Sequence, residues 1–317
     1  MSYFIIMKVL VTGAAGMLGG DLCNELEKEG HEVLKTDINL IEENIKKLDV
    51  RNKEEVFSLI EQFKPELVAH LAAETDVDKC EREVDHTYKT NTIGTLNVAL
   101  ACQKHDIVMA YISTAGVFDG TSSEPYTEFH KPNPINVYGK SKYEGEKIVE
   151  TLLNKYFIIR AGWMMGGGPK RDKKFVSKLL KQIEEGKKDI YVLTDKTGTP
   201  TYTVDFSRTF VKLIETGNYG LYHLTNKGEC SRYNVARKIF ELLDIKDINL
   251  RPVVSTLYPK DHYKYFSSTE IPASRPNSEM MRNYKLELMG INEMRHWEDA
   301  VEEYIRLHFS DKYIKRL

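Results

Sequence analysis

The chain has 317 residues, 41% of them hydrophobic and 29% charged, with a formal net charge of -2 at pH 7. That length and balance suit a globular protein with a full core and room for a second lobe, and they exclude disordered and fibrous classes. Lysine and arginine are spread along the sequence rather than massed into a basic block, so a small-molecule partner is expected and a nucleic-acid partner is not.

The four cysteines (Cys23, Cys80, Cys102, Cys230) lie far apart with no CxxC pair, which argues against a disulfide framework or a zinc cage and for a reducing, cytoplasmic setting. No apolar stretch is long enough to span a bilayer, so no membrane partner is expected. The opening MSYFIIMKVLVTG lacks the pattern of a secretory signal and reads as a strand, with Met7 a candidate start of the fold after a six-residue leader.

In chain order, MKVLVTG reads as a strand, residues 17–29 as a helix, HEVLKTD as a strand, a segment near 52–63 as a helix and ELVAHLAA as a strand. This alternation predicts successive βαβ units, hence an α/β fold with a Rossmann-type, doubly wound parallel sheet. A helical pattern near 84–104, the strand IVMAYIST, the loop KPNPIN, a helix from about Tyr138 and the strand YFIIRAG continue it. After Arg160 a glycine turn, GGGPKRDKK, leads into a lysine-rich helical segment and shorter mixed elements. The expected division is a Rossmann domain over residues 1–164 and a smaller, mixed α/β lobe over 165–317. Strands near 190–194 and 220–224 are expected to return to the first sheet. There is no internal repeat.

Gly13-Ala14-Ala15-Gly16-Met17-Leu18-Gly19 stands between a strand and a helix. Glycines there let the chain turn sharply, bring backbone N–H groups up to a pyrophosphate and pack the helix closely on the strand. A tight strand-to-helix connection without a ligand looks the same, and the spacing is GxxGxxG rather than GxGxxG; context decides for a dinucleotide. Asp37 ends the second strand about twenty residues beyond the glycines, where an acid accepts hydrogen bonds from the adenosine ribose and repels a 2′-phosphate, favouring NADH. Lys35, two residues earlier on the same side, leaves NADPH open. Asp49 and Val50 are candidates to cap the adenine, and Asp49 serves equally as a helix N-cap.

Tyr138-Gly139-Lys140-Ser141-Lys142 carries the catalytic reading. Four residues apart on a helix, Tyr138 and Lys142 share a face, so the ammonium is expected to lower the phenol from about 10 and to hold the nicotinamide ribose. With 18 tyrosines in the chain, YxxxK arises by chance, and Tyr143/Lys147 is a second match. Tyr143 lies five residues on, roughly 140° around the helix, so the two pairs cannot serve one site. Tyr138 is preferred because it begins the helix after a Pro-rich loop. Upstream, Tyr111-Ile112-Ser113-Thr114 ends a strand, where ligands of open α/β sheets bind. Thr114 or Ser113 is therefore a candidate to bind the substrate oxygen beside Tyr138; either hydroxyl can instead cap the strand end.

The order GxxGxxG, HLAA (His70 to Ala73), Asn91-Thr92-Ile93-Gly94-Thr95, Ser113-Thr114 and Tyr138xxxLys142 resembles the extended short-chain dehydrogenases/reductases. Within that group AAETDVDKCE (72–81), VFDG (117–120), PNPINVYGKSKYEGE (132–146), GTPTYT (198–203), GLYHLT (220–225) and PASRP (272–276) are similar to the dTDP-4-dehydrorhamnose reductases over nearly the whole chain. The resemblance implies an NAD(P)H-dependent reductase of a nucleotide-linked 4-keto-6-deoxy sugar, with Thr114, Tyr138 and Lys142 as a triad and Tyr138 as proton donor. It implies cofactor contacts from Gly13, Gly16, Met17, Leu18, Asp37, Asp49, Val50, Leu71, Ala72 and Ala73, together with Tyr138 and Lys142. Substrate contacts are implied for Thr75, Val77 and Thr114, for Trp163 against the sugar, and for Arg275 toward the nucleotide. From the residues alone, Trp163 is as readily a core aromatic and Arg275 an exposed loop charge.

In one place the chain departs from that pattern. Where these reductases typically read Ser-Thr-Asp-Tyr-Val-Phe, it reads Ser113-Thr114-Ala115-Gly116-Val117-Phe118, closer to nucleotide-sugar epimerases. A nucleotide-sugar epimerase or dehydratase of the same superfamily, the epimerase retaining its NAD, is therefore one rival. A non-catalytic subunit resembling the regulatory subunit of methionine adenosyltransferase is another, and it predicts co-purification with a synthetase and no turnover. A metal enzyme is not expected, since there is no HExxH and no Cys/His cluster. A homodimer is an expectation from relatives alone.

Overall fold

The computed structural model describes residues 6–259 and 273–310. Residues 1–5 of the expected leader and Pro272 of the PASRP segment lie outside them. The first half runs β1 (Lys8–Thr12), α1 (Met17–Lys28), β2 (Glu32–Asp37), β3 (Lys46–Lys47), α2 (Lys53–Phe63), β4 (Leu67–His70), α3 (Val77–Arg82), α4 (Val84–Tyr88), α5 (Gly94–His105), β5 (Val108–Thr114), α6 (Val137–Leu152) and β6 (Tyr156–Ala161). The second half adds β7 (Trp163–Met165), α7 (Gly168–Arg171), α8 (Phe175–Glu184), β8 (Asp189–Leu193), β9 (Thr197–Gly198), β10 (Pro200–Tyr202), α9 (Thr203–Glu215) and β11 (Gly220–Leu224). It closes with β12 (Cys230–Ser231), α10 (Arg232–Leu242), β13 (Asn249–Val253), β14 (Ser278–Glu279) and the helices Tyr284–Leu288 and Trp297–His308.

Seven strands form one parallel sheet in the order β11-β6-β5-β4-β1-β2-β3. The order reverses between β1 and β4, so the crevice beyond their carboxyl ends is the switch point at which doubly wound sheets bind ligands. Alternation along each strand fills both faces. Val9, Val11, Ala110, Ile112, Phe157 and Ile159 pack with residues of α1 and α9; Leu10, Met109, Tyr111 and Ile158 pack with α2, α5 and α6. Burial on both sides is why these strands read as near-continuous apolar runs. Side-chain caps set where helices begin: Asn52 accepts from the Glu55 amide, Asn136 from Gly139, and Ser231 forms a capping box with Asn234.

The strand expected near 190–194 forms as β8 but does not return to the main sheet. It pairs in parallel with β13, and Ile190 and Val192 bury into a second core with α8, α10 and the helix Trp297–His308. The other expected return holds, since β11 pairs with β6. α9, not foreseen as a long helix, packs Phe206 and Phe210 on the main sheet with α1. The single helical run expected over 84–104 is α4, a π-helical turn at Lys89–Ile93 and α5. Asp21 of α1 joins the two halves, accepting from the Gly167 amide at 3.2 Å and pairing with Thr203. Among the described residues no helix is long and apolar enough to cross a membrane.

Candidate active site

The turn after β1 depends on Gly13. Its φ is 76°, and a Cβ there would stand 2.7 Å from the Ala72 amide nitrogen, so only glycine lets the chain leaving β1 pass the chain leaving β4. Leu71 N–H donates to the Thr12 carbonyl at 3.1 Å and Ala72 N–H to the Thr12 hydroxyl at 3.3 Å. Gly13, Gly16, Met17 and the segment Leu71–Ala73 therefore border one crevice. Leu18 and Val50 are only 6% and 5% exposed and sit in the cores of opposite faces, so their side chains are structural.

Asp37 accepts from the Ala15 amide at 3.1 Å and the Asn39 amide at 2.8 Å, which aims its carboxylate into the glycine turn. Lys35 is paired with Glu27 at 2.9 Å. Asp49 is held by Arg51 at 2.6 Å, whose guanidinium keeps the carboxyl below its usual range, and Asn52 rather than Asp49 caps α2. The backbone cradle that a Cβ would fill, with an acid at the end of β2, fits a nicotinamide dinucleotide.

On the next strand Thr114 and Tyr138 come together. The Thr114 hydroxyl accepts from the Gly116 amide at 3.1 Å. A Cβ on Gly116 would stand 3.4 Å from that hydroxyl and 3.7 Å from Cδ1 of Tyr138. The lowering of the Tyr138 phenol expected from Lys142 is not what the structure gives. Burial, which disfavours the phenolate, pushes the phenol above its ordinary value, and the hydrogen bond with Thr114 pulls the other way. Burial likewise pushes Lys142 down to about 7, opposed by the Glu146 carboxylate. Ser113 is removed from the choice of hydroxyl, because its Oγ donates to buried Glu146 at 2.5 Å. Tyr143 packs near Phe118 and Tyr126, and Lys147 is exposed and paired with Glu144 at 2.6 Å, so the second YxxxK lies elsewhere.

Several supporting residues escape a reading by motif. Asn136 accepts from Gly139 N–H at 2.8 Å and donates to the Ser274 carbonyl at 2.8 Å, tying the start of α6 to the 273–277 loop. Asn91, in the π-helical turn, accepts from Glu74 N–H at 2.7 Å and donates to the Ser141 hydroxyl at 3.0 Å; that hydroxyl donates to the Tyr138 carbonyl at 2.8 Å. Glu146 is bound twice by Arg160, at 2.9 and 2.7 Å. His70, kept neutral by burial that pushes it to about 3, bridges Thr12 at 2.8 Å and Thr95 at 3.1 Å. Their only signal in the sequence was membership of the HLAA, NTIGT, PNPINVYGKSKYEGE and YFIIRAG segments, without roles.

The substrate side differs from expectation. Thr75 is exposed and accepts Lys174 Nζ at its hydroxyl, 3.1 Å, and its carbonyl, 2.9 Å; Val77 opens α3 beside it. Trp163 is only 8% exposed. The Arg232 guanidinium lies 3.7 Å from its ring centroid and its indole N–H donates to Glu279 at 2.7 Å, so no open face is left by Arg232 on that side for a sugar. Arg275 does not extend freely toward a nucleotide. It grips both oxygens of Asp78 at 2.9 Å, and Asp78 also accepts the Ala273 amide at 2.9 Å, so Arg275 anchors its own loop on α3.

The model of the family described as "RmlD substrate binding domain" matches residues 7–309. Among the relatives, the spore coat polysaccharide biosynthesis protein SpsK of Bacillus subtilis (strain 168) is 33% identical over 299 residues, covering 94% of this chain and 97% of that one. The dTDP-4-dehydrorhamnose reductase of Aggregatibacter actinomycetemcomitans is 35% identical over 263 residues, covering 80% and 86%. The crystal structure of dTDP-4-dehydrorhamnose reductase from Bacillus anthracis str. Ames in complex with NADP superposes with a TM-score of 0.84 at 37% identity, covering 96% and 100%. The chain belongs to the family of the RmlD substrate binding domain and is an NAD(P)-dependent oxidoreductase of the extended short-chain dehydrogenase/reductase type.

Proposed function

We propose that the chain reduces the carbonyl of a nucleotide-linked 4-keto-6-deoxy sugar, as its relatives' names describe. What supports this reading is the juxtaposition of Thr114 and Tyr138 around Gly116 at the carboxyl edge of the sheet. The glycine turn, Asp37 and Lys142 would hold a reduced nicotinamide dinucleotide, which when bound would supply the hydride for the carbonyl carbon. Thr114 and Tyr138 hold the carbonyl oxygen through their hydroxyls. As that oxygen gains charge, Tyr138 gives it the phenolic proton, yielding the alcohol, and solvent restores the proton to the phenolate. The raised phenol keeps its proton until the oxygen becomes the stronger base. Lys142, with Glu146 behind it, offsets the phenolate charge. Asp37, with Lys35 neutralised by Glu27, favours NADH over NADPH.

The Thr75–Val77 segment borders the sugar in this reading, and the lobe after residue 164 supplies the rest of the substrate side, with Trp163 part of its packing under Arg232. A second reading, epimerisation with retained NAD, is favoured by the missing side chain at Gly116, which borders both Thr114 and Tyr138. The four free, buried cysteines fit a reducing cytoplasmic setting. The test is to incubate the protein and Tyr138→Phe with NADH or NADPH and a panel of 4-keto-6-deoxy sugar nucleotides while following nicotinamide absorbance. Net oxidation is expected, with Tyr138→Phe slower by about 10²–10⁴-fold. Equal rates in the two proteins refute the mechanism, and substrate conversion without net oxidation selects the epimerase.

A further inference from the structure

α6 lies hard against β5 at Gly145, and what it meets there is Tyr111. A Cβ on Gly145 would stand 2.2 Å from the Tyr111 hydroxyl oxygen and 2.7 Å from Cζ, so the helix carries glycine to let this tyrosine in. Tyr111 is fully buried. Its hydroxyl donates to the carbonyl of Lys142 at 3.0 Å, and the Lys142 ammonium lies over its ring, 4.1 Å from the centroid. One side chain therefore grips Lys142 at both ends.

The rest of the surroundings leave this seat to Tyr111. Lys142 is 3% exposed, and among the described residues no carboxylate forms an ion pair with it. Glu146, one turn on along α6, is taken up by Ser113 and Arg160. The other titratable neighbours are Tyr138, one turn before on α6, and His70 on β4, whose ring stacks 5.9 Å from Tyr111 and is neutral. A carboxylate at this place would cancel the lysine charge and occupy its donors. An aromatic face attracts the cation while leaving its N–H groups for ribose hydroxyls and its charge for the phenolate, and the attraction is larger where water is excluded.

We propose that Tyr111 is a positioning residue for the reduction: its ring seats the Lys142 ammonium, and its hydroxyl locks the helical turn that carries it. This role rests on the function proposed above. It is tested by placing at position 111 phenylalanine and a series of progressively fluorinated phenylalanines, which keep the shape while removing negative potential from the ring face. NADH binding is followed by nicotinamide fluorescence as a function of pH, together with the melting temperature. Tyr111→Phe is expected to keep the native midpoint for loss of binding on the basic side. Across the fluorinated series the midpoint falls by about half to one pH unit, because a weaker seat releases the lysine proton sooner. Tyr111→Phe is expected to lower the melting temperature, because it loses the hydroxyl bond to the Lys142 carbonyl. Across the fluorinated series, compared with Tyr111→Phe, a midpoint that stays fixed assigns the ring to packing alone and overturns the proposal. In the native protein the ring current shifts the Lys142 Cε protons upfield, and unshifted resonances overturn it without any variant. A native protein that binds neither NADH nor NADPH overturns the proposed function and this role with it, whereas binding with an unmoved midpoint overturns the role of Tyr111 alone.

Discussion

Asp37 illustrates how a single carboxylate acquires a function from its neighbours. Its two oxygens accept from Ala15 and Asn39, which leaves them pointed at the glycine turn rather than into solvent. Hydrogen bonds to a charged group contribute about 1.5–3 kcal/mol each, so losing the one made to a ribose costs roughly ten- to a hundredfold in affinity. Asp37→Ser is therefore expected to lower kcat/KM for NADH by that factor while sparing or raising the value for NADPH. Steady-state kinetics with both nucleotides measures this, and an unchanged ratio would remove Asp37 from coenzyme selection. Trp163 and Arg275 show the limit at this scale. Each was legible as a candidate, yet their partners Glu279 and Asp78 lie 116 and 197 residues away in sequence, and those pairings decide what each side chain can reach.

At the scale of elements, α6 does more than present Tyr138 and Lys142. Its N-cap, Asn136, uses its carbonyl oxygen on the helix and its amide on the Ser274 carbonyl. Asn136→Ala loses both and is expected to destabilise the fold by about 1–2 kcal/mol in urea unfolding. Asn136→Asp keeps the cap acceptor but lacks the amide donor. It is expected to stay near native stability while raising KM for the sugar nucleotide more than it lowers kcat, because only the 273–277 loop is released. Equal KM values in the aspartate variant and the native protein would show that the tie does not matter for substrate. The helix itself was readable from its spacing. The partner of β8 was not, because alternation shows that a segment is a strand without saying which strand it joins, and β8 has its buried residues in the second core, away from the main sheet. The π-helical turn at Lys89–Ile93 was equally hidden, inside what read as one continuous helical run over 84–104.

The whole molecule carries two buried histidines in the first sheet, His70 on β4 and His223 on β11. Burial pushes both down, His70 to about 3, with Lys142 adding to the effect there and Arg160 at His223. An unfolded chain takes up a proton at each near pH 6.5, so between that value and the lower folded values the unfolded state binds more protons. Their contribution to stability is thus fully present above about pH 6.5 and is lost progressively as pH falls. At about pH 5, unfolding is expected to take up roughly two protons at these side chains, and His70→Gln is expected to remove about one, measured from the pH dependence of the melting temperature. An unchanged slope in the variant would mean that His70 is already charged in the fold.

Local periodicity and motif order by themselves determined the alternation of strands and helices, the parallel sheet, the glycine turn with Asp37, and the choice of Tyr138 over Tyr143, because each depends on residues near one another in the chain. Tertiary structure alone decided that Thr114 rather than Ser113 faces the phenol, that Arg275 holds Asp78, that Trp163 lies under Arg232, and that Lys142 rests on Tyr111. Those are pairings between distant segments, and burial sets both which partners meet and which protonation state each group prefers.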